Sequence, residues 1–285
     1  MFLLIKFYAQ YLLWMTMLTL RIKPPVRFVR SFYNSLSAIL GRGLPGIRYM
    51  NYGYWNDDQP FRDEILADFE QWQNCQARMY HAVAAPGGVC PAAGRRLLEV
   101  GAGRGGGLMR VHQDFKPAKS VAMDLSPLAV ADTRQFFQDP AGVEFQVGDA
   151  QNLPFDEGSF DAVLNVESSH CYPDRRRFFQ EVYRVLEHGG AFMYADLFAP
   201  TEVAGVEREL LTAGLQIVEK EDITGRVIDA LNRQDLTKLE SFGRSSVPLM
   251  LRRPLKEFIA MEGSLTYRYF TSGSLLYVRF LAEKP

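Results

Sequence analysis

Leu97-Leu98-Glu99-Val100-Gly101-Ala102-Gly103-Arg104-Gly105-Gly106-Gly107 is the stretch that decides how this chain is read. A short apolar run carries an acid near its end and then breaks into five glycines within seven positions. That order predicts a buried strand, a tight turn and the start of a helix. Glycine accepts positive φ and lets a ligand approach the main chain where a Cβ would collide. The free N–H groups at the following helix start favour a polar or anionic ligand group. The loop therefore reads as a holder for a nucleotide-type cofactor. Gly101, Gly103 and Gly106 also satisfy the dinucleotide pattern G-x-G-x-x-G, so the glycines alone leave the cofactor open.

Acids at three successive strand ends narrow it. Glu99 sits two residues before the first glycine, where a carboxylate crowds a pyrophosphate but suits a cationic amino-acid group. Ser120-Val121-Ala122-Met123-Asp124 reads as a second strand, and Asp124, next to Leu125, is placed to accept both hydroxyls of a ribose. Val147-Gly148-Asp149-Ala150 ends a third strand, with Asp149 and Ala150 at the height of an adenine amino group. A single Asp in such a place is ordinarily a helix cap or turn residue. Three in sequence, with Asn165 on the fourth strand, point to a ligand site.

Glu99-Val100-Gly101-Ala102-Gly103-Arg104-Gly105, Asp124, and Gly148-Asp149-Ala150-Gln151-Asn152-Leu153-Pro154-Phe155 resemble the class I S-adenosylmethionine-dependent methyltransferases. Phe160-Asp161-Ala162-Val163-Leu164 and Val185-Leu186-Glu187-His188-Gly189-Gly190 continue the resemblance, which runs from about Tyr49 to the C-terminus. Within that superfamily, Asn165-Val166-Glu167-Ser168-Ser169-His170-Cys171-Tyr172-Pro173 and Tyr194-Ala195-Asp196-Leu197 look like the phthiotriol/phenolphthiotriol dimycocerosate methyltransferases. The resemblance implies S-adenosyl-L-methionine as cofactor and O-methylation of a hydroxyl on a very hydrophobic lipid. The Glu-Ser-x-His segment is shared with natural-product O-methyltransferases and some isoprenoid C-methyltransferases.

Composition is compatible with this. The chain has 285 residues, 47% of them hydrophobic, enough for one large α/β domain with additions. A net charge of −1 with no basic block in the core argues against nucleic acid as a partner. Cys75, Cys90 and Cys171 show neither pairing nor metal spacing, and the four histidines form no ligand cluster with them. No metal is expected, and an odd number of cysteines fits reduced thiols in the cytoplasm.

Residues 95–200 alternate short apolar runs with helical segments, the pattern of a parallel sheet. Strands are expected at 96–100, 120–124, 143–147, 161–166, 191–197, 215–222 and 275–282, with a helix near 201–213. The fold class is thus α/β: a doubly wound, Rossmann-like, seven-stranded sheet with a helical N-terminal extension and a helical cap inserted before the last strand. The resemblance implies that the last strand runs antiparallel at the sheet edge. Residues 31–285 are expected to form the methyltransferase domain, with cap elements at about 31–80 and 223–268. In the first of these, Tyr49-Met50-Asn51-Tyr52-Gly53-Tyr54-Trp55 reads as a folded-over aromatic turn. Tyr52 and Tyr54 are either lid residues over the cofactor or simple packing residues.

Residues 1–20 are almost wholly apolar and are followed by Arg21, Lys23, Arg27 and Arg30. As a helix the run is about 30 Å long, near the hydrocarbon thickness of a bilayer. Pro24-Pro25 stops it, and a cleavable signal is not expected. Residues 1–30 therefore allow three readings: a helix lying on the cytoplasmic face of a membrane, a spanning anchor, or a helix packed on the domain near the substrate mouth.

The implied chemistry is displacement at an activated sulfonium methyl, so the protein must align a nucleophile and remove its proton. His170 follows the fourth strand and is the expected general base; the plainer alternative is a capping or supporting residue. Asp196 follows the fifth strand and either orients His170 or binds substrate. Glu167 hydrogen-bonds either the substrate or the aromatic turn. Isoprenoid C-methylation is the competing reaction: Tyr52, Tyr54 and Trp55 would stabilise a carbocation, and Arg175-Arg176-Arg177 is the single local basic run for a diphosphate.

Overall fold

The computed structural model describes residues 2–19, 22–43, 46–57, 73–138, 140–244 and 249–285. Leu20 and Arg21, the part of the first cap at 58–72, and 245–248 of the second lie outside the described residues. Three helices precede the sheet: α1 (Phe2–Thr19), α2 (Val26–Gly43) and α3 (Asn74–Ala84). The alternating core follows as β1 (Arg96–Val100), α4 (Gly106–Phe115), β2 (Lys119–Asp124), α5 (Pro127–Phe137), β3 (Val143–Val147), β4 (Phe160–Val166), α6 (Arg175–Val185), β5 (Leu186–Phe198), α7 (Val203–Thr212) and β6 (Gln216–Asp222). Then come α8 (Thr224–Arg244), α9 (Leu249–Phe258), α10 (Leu265–Thr271) and β7 (Leu276–Glu283).

The seven strands form one sheet in the order β3-β2-β1-β4-β5-β7-β6. β1 lies between β2 and β4, parallel to both. Leu97, Leu98 and Val100 are buried on its two faces, which is why this strand reads as a continuous apolar run and not as an alternation. One face packs on α3, α4 and α8 through Met79, Val83, Leu108, Val111, Val227 and Leu231. The other packs on α6 and α7 through Phe178, Phe179, Val182, Val206 and Leu210. The strand order reverses between β1 and β4, and in open α/β sheets ligands bind outside the C-terminal strand ends at such a reversal.

Two expectations are corrected. β7 is antiparallel, pairing β5 on one side and β6 on the other, so it is the second strand in and β6 holds the edge. The side chains of the two strands explain the order. β7 buries Tyr277, Val278 and Phe280, which need cover on both sides. Glu219, Lys220, Glu221 and Asp222 of β6 suit an edge that faces solvent. β5 also begins earlier than expected, because Leu186 already pairs with Phe160 before a register shift carries the chain to Ala191 opposite Ala162.

The N-terminal helices pack as a hairpin. Phe7 stacks on Phe32 at 5.3 Å, and Trp14 lies 4.8 Å from Phe32 and 5.9 Å from Phe28. α2 docks on α5, and α1 also meets α9. Among the described residues no helix is long and apolar enough to cross a membrane.

Arg104, in the glycine loop, fixes this hairpin to the sheet. Its guanidinium is fully buried: Nε donates to the Ile47 carbonyl at 2.6 Å and Nη1 to the Ser37 carbonyl at 3.3 Å. Asp132 of α5 faces both Arg104 at 3.3 Å and Arg48 at 2.6 Å. Burial and the neighbouring Arg48 push Arg104 down to about 10, and Asp132 opposes that shift. Asp132→Ala leaves two buried guanidinium groups without their carboxylate. We expect a loss of about 3 kcal/mol in urea denaturation, the low end for a broken buried pair because Asp132 is partly exposed; an unchanged midpoint would remove this network from the forces holding the hairpin.

Candidate active site

The C-terminal ends of β1, β2, β3 and β4 open into one cavity of about 1080 Å³, counting its mouth. The glycine loop forms its floor, with Gly101, Ala102 and Gly103 on the wall. Gly101 has φ +76, and a Cβ there would fall 2.3 Å from Ser168 Oγ and 2.8 Å from Tyr172 Oη. Its residue type is therefore set by backbone conformation and by close approach together.

Asp124, Leu125, Asp149 and Ala150 line the cavity beside this floor. Asp124 Oδ2 accepts the Gly103 N–H at 2.9 Å and Oδ1 accepts the Ser126 N–H at 2.8 Å, which aims the carboxylate. Burial pushes that carboxyl up to about 6 despite the two amide donors. Asp149 Oδ1 accepts the Gln151 amide at 2.9 Å, closing the turn after β3.

β4 and β5 supply a paired acid and imidazole. His170 follows β4 in a short 3₁₀ turn over Ser169–Cys171, and Asp196 lies near the end of β5. His170 Nδ1 and Asp196 Oδ1 are 2.7 Å apart. The imidazole is 31% exposed and lines the cavity, while the carboxylate is fully buried behind it. Asp196 Oδ1 also accepts the Leu197 N–H at 2.8 Å, and Oδ2 accepts Ser169 Oγ–H at 2.6 Å and the His170 N–H at 3.0 Å. Burial pushes the Asp196 carboxyl up, but His170 and these donors outweigh it and hold it below the ordinary carboxylate range. Desolvation pushes His170 down, yet Cys171 and Asp196 outweigh it and raise the imidazole well above its ordinary value. An ionised Asp196 accepts a hydrogen bond from Nδ1 and keeps the proton there, so in the neutral ring Nε2 is the basic nitrogen.

Glu167 stands at the junction of sheet and cap. It adopts φ +52, a conformation uncommon for a non-glycine residue and often found at functional sites. Its Oε2 accepts the Tyr52 N–H at 3.0 Å and the Tyr277 hydroxyl at 3.1 Å. Burial pushes the carboxyl up to about 8, with His170 opposing. The bond to Tyr52 is the hydrogen bond to the aromatic turn expected of this residue.

The expected site residues divide. Gly101, Gly103, Asp124, Leu125, Asp149, Ala150, Tyr52, Glu167 and His170 share the cavity, with Asp196 directly behind His170. Four others are elsewhere. Glu99 is fully buried, and the cavity wall at that point is Tyr80. Burial lifts Glu99 to about 7, with the Tyr80 hydroxyl and the Leu108 amide opposing. Gly105 is the N-cap of α4 and lies against Thr133. Asn165 faces inward as a brace, donating to the Val100 carbonyl at 2.8 Å and to Ser168 Oγ at 2.7 Å. Tyr54 packs in the core, its amide bound to the Cys75 carbonyl at 2.9 Å.

Sequence reasoning missed the opposite wall. Val26, Val29, Tyr33 and Ser37 place one face of α2 on the cavity, and Tyr33 Oη lies 3.3 Å from Cys171 Sγ. Lys23 Nζ donates to the His170 carbonyl at 3.2 Å. The amphipathic pattern of α2 was the available signal, but it does not say which partner the apolar face meets. Ser168 and Tyr172, hydrogen-bonded to each other at 2.9 Å, were also passed over although they flank His170.

Residues 98–194 match the family model described as a methyltransferase domain. The phthiotriol/phenolphthiotriol dimycocerosates methyltransferase of Mycobacterium tuberculosis is 35% identical over 244 residues, which cover 86% of this chain and 88% of that one. The fatty-acid O-methyltransferase of Mycolicibacterium smegmatis is 37% identical over 210 residues, 74% of each chain. Among solved structures, the (4+2)-cyclase SpnF is similar with a TM-score of 0.69 at 21% identity, covering 92% of this chain and 97% of that one. Geranyl diphosphate methyltransferase, in complex with GPP and sinefungin, has a TM-score of 0.61 at 19% identity, covering 91% and 98%. The structural likenesses show the Rossmann-like fold alone, and the sequence identity adds the family. The chain belongs to the phthiotriol/phenolphthiotriol dimycocerosates methyltransferase family and is an S-adenosylmethionine-dependent methyltransferase.

Proposed function

We propose that this enzyme methylates an oxygen of a hydrophobic lipid or polyketide, with His170 as general base. The observation that carries the reading is the His170–Asp196 pair, which presents an imidazole to the same cavity that the glycine loop floors. S-adenosylmethionine supplies, when bound, a methyl group already activated for displacement. The residues present fit that cofactor. Gly101 and Gly103 line the cavity at positions where a Cβ would crowd Ser168, Tyr172 and Met50, Asp124 lines it with a carboxylate aimed by two amides that would hold the ribose, and Asp149 and Ala150 line it and would hold the adenine edge. Tyr52 covers the cavity from the cap side, held by Glu167.

The protein's part in the reaction is to hold the acceptor and take its proton. His170 Nε2 accepts the hydroxyl proton while Asp196 keeps Nδ1 protonated and the ring in place. The names of the relatives support a lipid acceptor, one being a fatty-acid O-methyltransferase. The isoprenoid reading is weaker. The described residues of the cavity wall include no cluster of Arg and Lys for a diphosphate, and Lys23, which reaches that wall, donates to the His170 carbonyl. Arg175 and Arg176 instead pair with Glu209.

The N-terminal hairpin supports placement at a lipid surface. Ile5, Tyr8, Leu12 and Leu13 form an exposed apolar stripe on one side of α1, while Phe7 and Trp14 pack against α2. Lys6, Lys23, Arg27 and Arg30 are exposed on the same hairpin, a complement to anionic headgroups. α1 is thus built into the fold and still leaves a free apolar face, and α2 links that face to the cavity wall.

Asp124→Ala should weaken S-adenosylmethionine binding in calorimetry more than Glu187→Ala, because Glu187 opens β5 at the end of the sheet opposite the cavity; equal effects would sink the ribose assignment. His170→Ala lowers kcat by roughly 10²–10⁴-fold with cofactor affinity little changed, and the labelled product is a methyl ether or ester; a new carbon–carbon bond would overturn the O-methyl reading. Since the neutral imidazole is the active form and its pKa is raised in the ligand-free protein, log kcat/KM for S-adenosylmethionine climbs with pH through a value above the ordinary histidine range. Asp196→Asn removes the raising charge, so that limb moves to lower pH as the plateau falls; a limb that does not move would exclude His170 as the titrating base. Finally, the triple variant Ile5→Glu, Leu12→Glu, Leu13→Glu keeps cofactor binding and loses co-sedimentation with phosphatidylglycerol vesicles, whereas undiminished sedimentation would rule out this stripe.

A further inference from the structure

A second chamber opens from the main cavity on its cap side. Met50, Tyr52, Glu167 and Phe258 line both spaces, so the two adjoin across these four side chains. Beyond them, Leu40 of α2, Ile47, Leu255 of α9 and Ile259 border a space of about 450 Å³, counting its opening to solvent. Two of the polar groups at its wall, the Asn51 amide and Glu167 Oε2, are already engaged. Asn51 bonds the Gln76 carbonyl at 3.2 Å and the Gly53 N–H at 2.8 Å, and Glu167 Oε2 bonds the Tyr52 N–H and the Tyr277 hydroxyl. An occupant therefore meets mostly hydrocarbon, from Leu40, Ile47, Met50, Leu255, Phe258 and Ile259.

The chamber starts at Glu167, three residues before the base His170. His170 and Glu167 line the main cavity together, and Glu167 also lines the chamber, so the chamber is the apolar space next to an acceptor oxygen held at His170. We propose that the chamber takes the hydrocarbon chain next to the methylated oxygen, so that an unbranched alkyl or acyl segment lies between α2 and α9. The inference rests on the lipid-acceptor reading above and adds to it the place and shape of the chain subsite. Its apolar lining stabilises each further methylene that it buries, until the space is full.

The test is a homologous series of n-alkanoic acids, from hexanoic to stearic, titrated calorimetrically into the full chain saturated with S-adenosylhomocysteine. Affinity is expected to rise roughly fourfold per methylene and then level off. Ile259→Trp fills the chamber from a half-buried position and should move the plateau to shorter acids, lowering the long-chain to short-chain affinity ratio by about tenfold, the equivalent of one to two excluded methylenes. Leu255→Ala enlarges it and should move the plateau to longer acids, with S-adenosylhomocysteine binding as the check that each variant is folded. No binding, no dependence on chain length, or a plateau that neither folded variant moves would overturn the proposal. Chain-dependent binding with no methyl ether formed from n-alkanols of the same lengths and S-adenosylmethionine would leave the chamber standing and count against the O-methylation reading instead.

Discussion

The burial of Arg104 is the constraint on which the rest of this structure depends. A guanidinium in the middle of a cofactor loop is expected to face solvent or ligand, yet here it is enclosed by the carbonyls of Ile47 and Ser37 and by Asp132. An unpaired charge in that position is costly, so the loop cannot take its shape until α2 and the segment after it have closed around the arginine. The glycines that follow record the same closeness. A Cβ on Gly106 would lie 2.8 Å from the Arg48 carbonyl, and one on Gly107 would lie 1.9 Å from the Tyr80 ring. The run of five glycines thus serves two purposes: its first members shape the floor for the cofactor, and its last admit the cap.

From this follows the division of roles in the site. The acid–base pair is held by the ends of two neighbouring parallel strands, and Asp196 has four donors that fix it. The cap contributes the other walls through long-range bonds. Tyr52 is tied to Glu167, Gln234 of α8 donates to the Tyr52 carbonyl at 3.1 Å, and Gln76 of α3 bonds Gln234 at 2.6 Å. The positive φ of Glu167 turns its side chain from the sheet toward these cap residues. Strain at that residue is offset by two hydrogen bonds, one from Tyr52 of the cap and one from Tyr277 of β7.

What was legible in the sequence was local. The strands near 96–100, 120–124 and 143–147 announced themselves by apolar runs ending in an acid, and those acids or their neighbours line the cavity as read. What was illegible required knowing which surfaces meet. Glu99 is at the expected strand end, but α3 carries Tyr80 across it. Tyr52 and Tyr54 look equivalent in the sequence, and only the turn at Gly53 sends one to the cavity and the other to the core. The order of β6 and β7 depends on which is more apolar on both faces, a comparison between strands separated by the whole second cap.

A raised pKa on His170 is at first sight at odds with the role of base proposed for it, which begins deprotonated, and the resolution lies in electrostatics. Asp196 strengthens the imidazole as a proton acceptor and also lowers the fraction of free base near neutrality. Which effect prevails depends on the charge of whatever else enters the cavity. A cation beside His170 penalises the imidazolium and favours the neutral ring, while the buried Asp196, fixed by its own donors, goes on holding the Nδ1 proton. The low-dielectric walls supplied by Val26, Val29 and Tyr33 magnify that repulsion. A strong base that is protonated in the empty protein is therefore compatible with one that is free when a cationic methyl donor is bound, and the cap that closes around Arg104 also builds the walls that make the difference large.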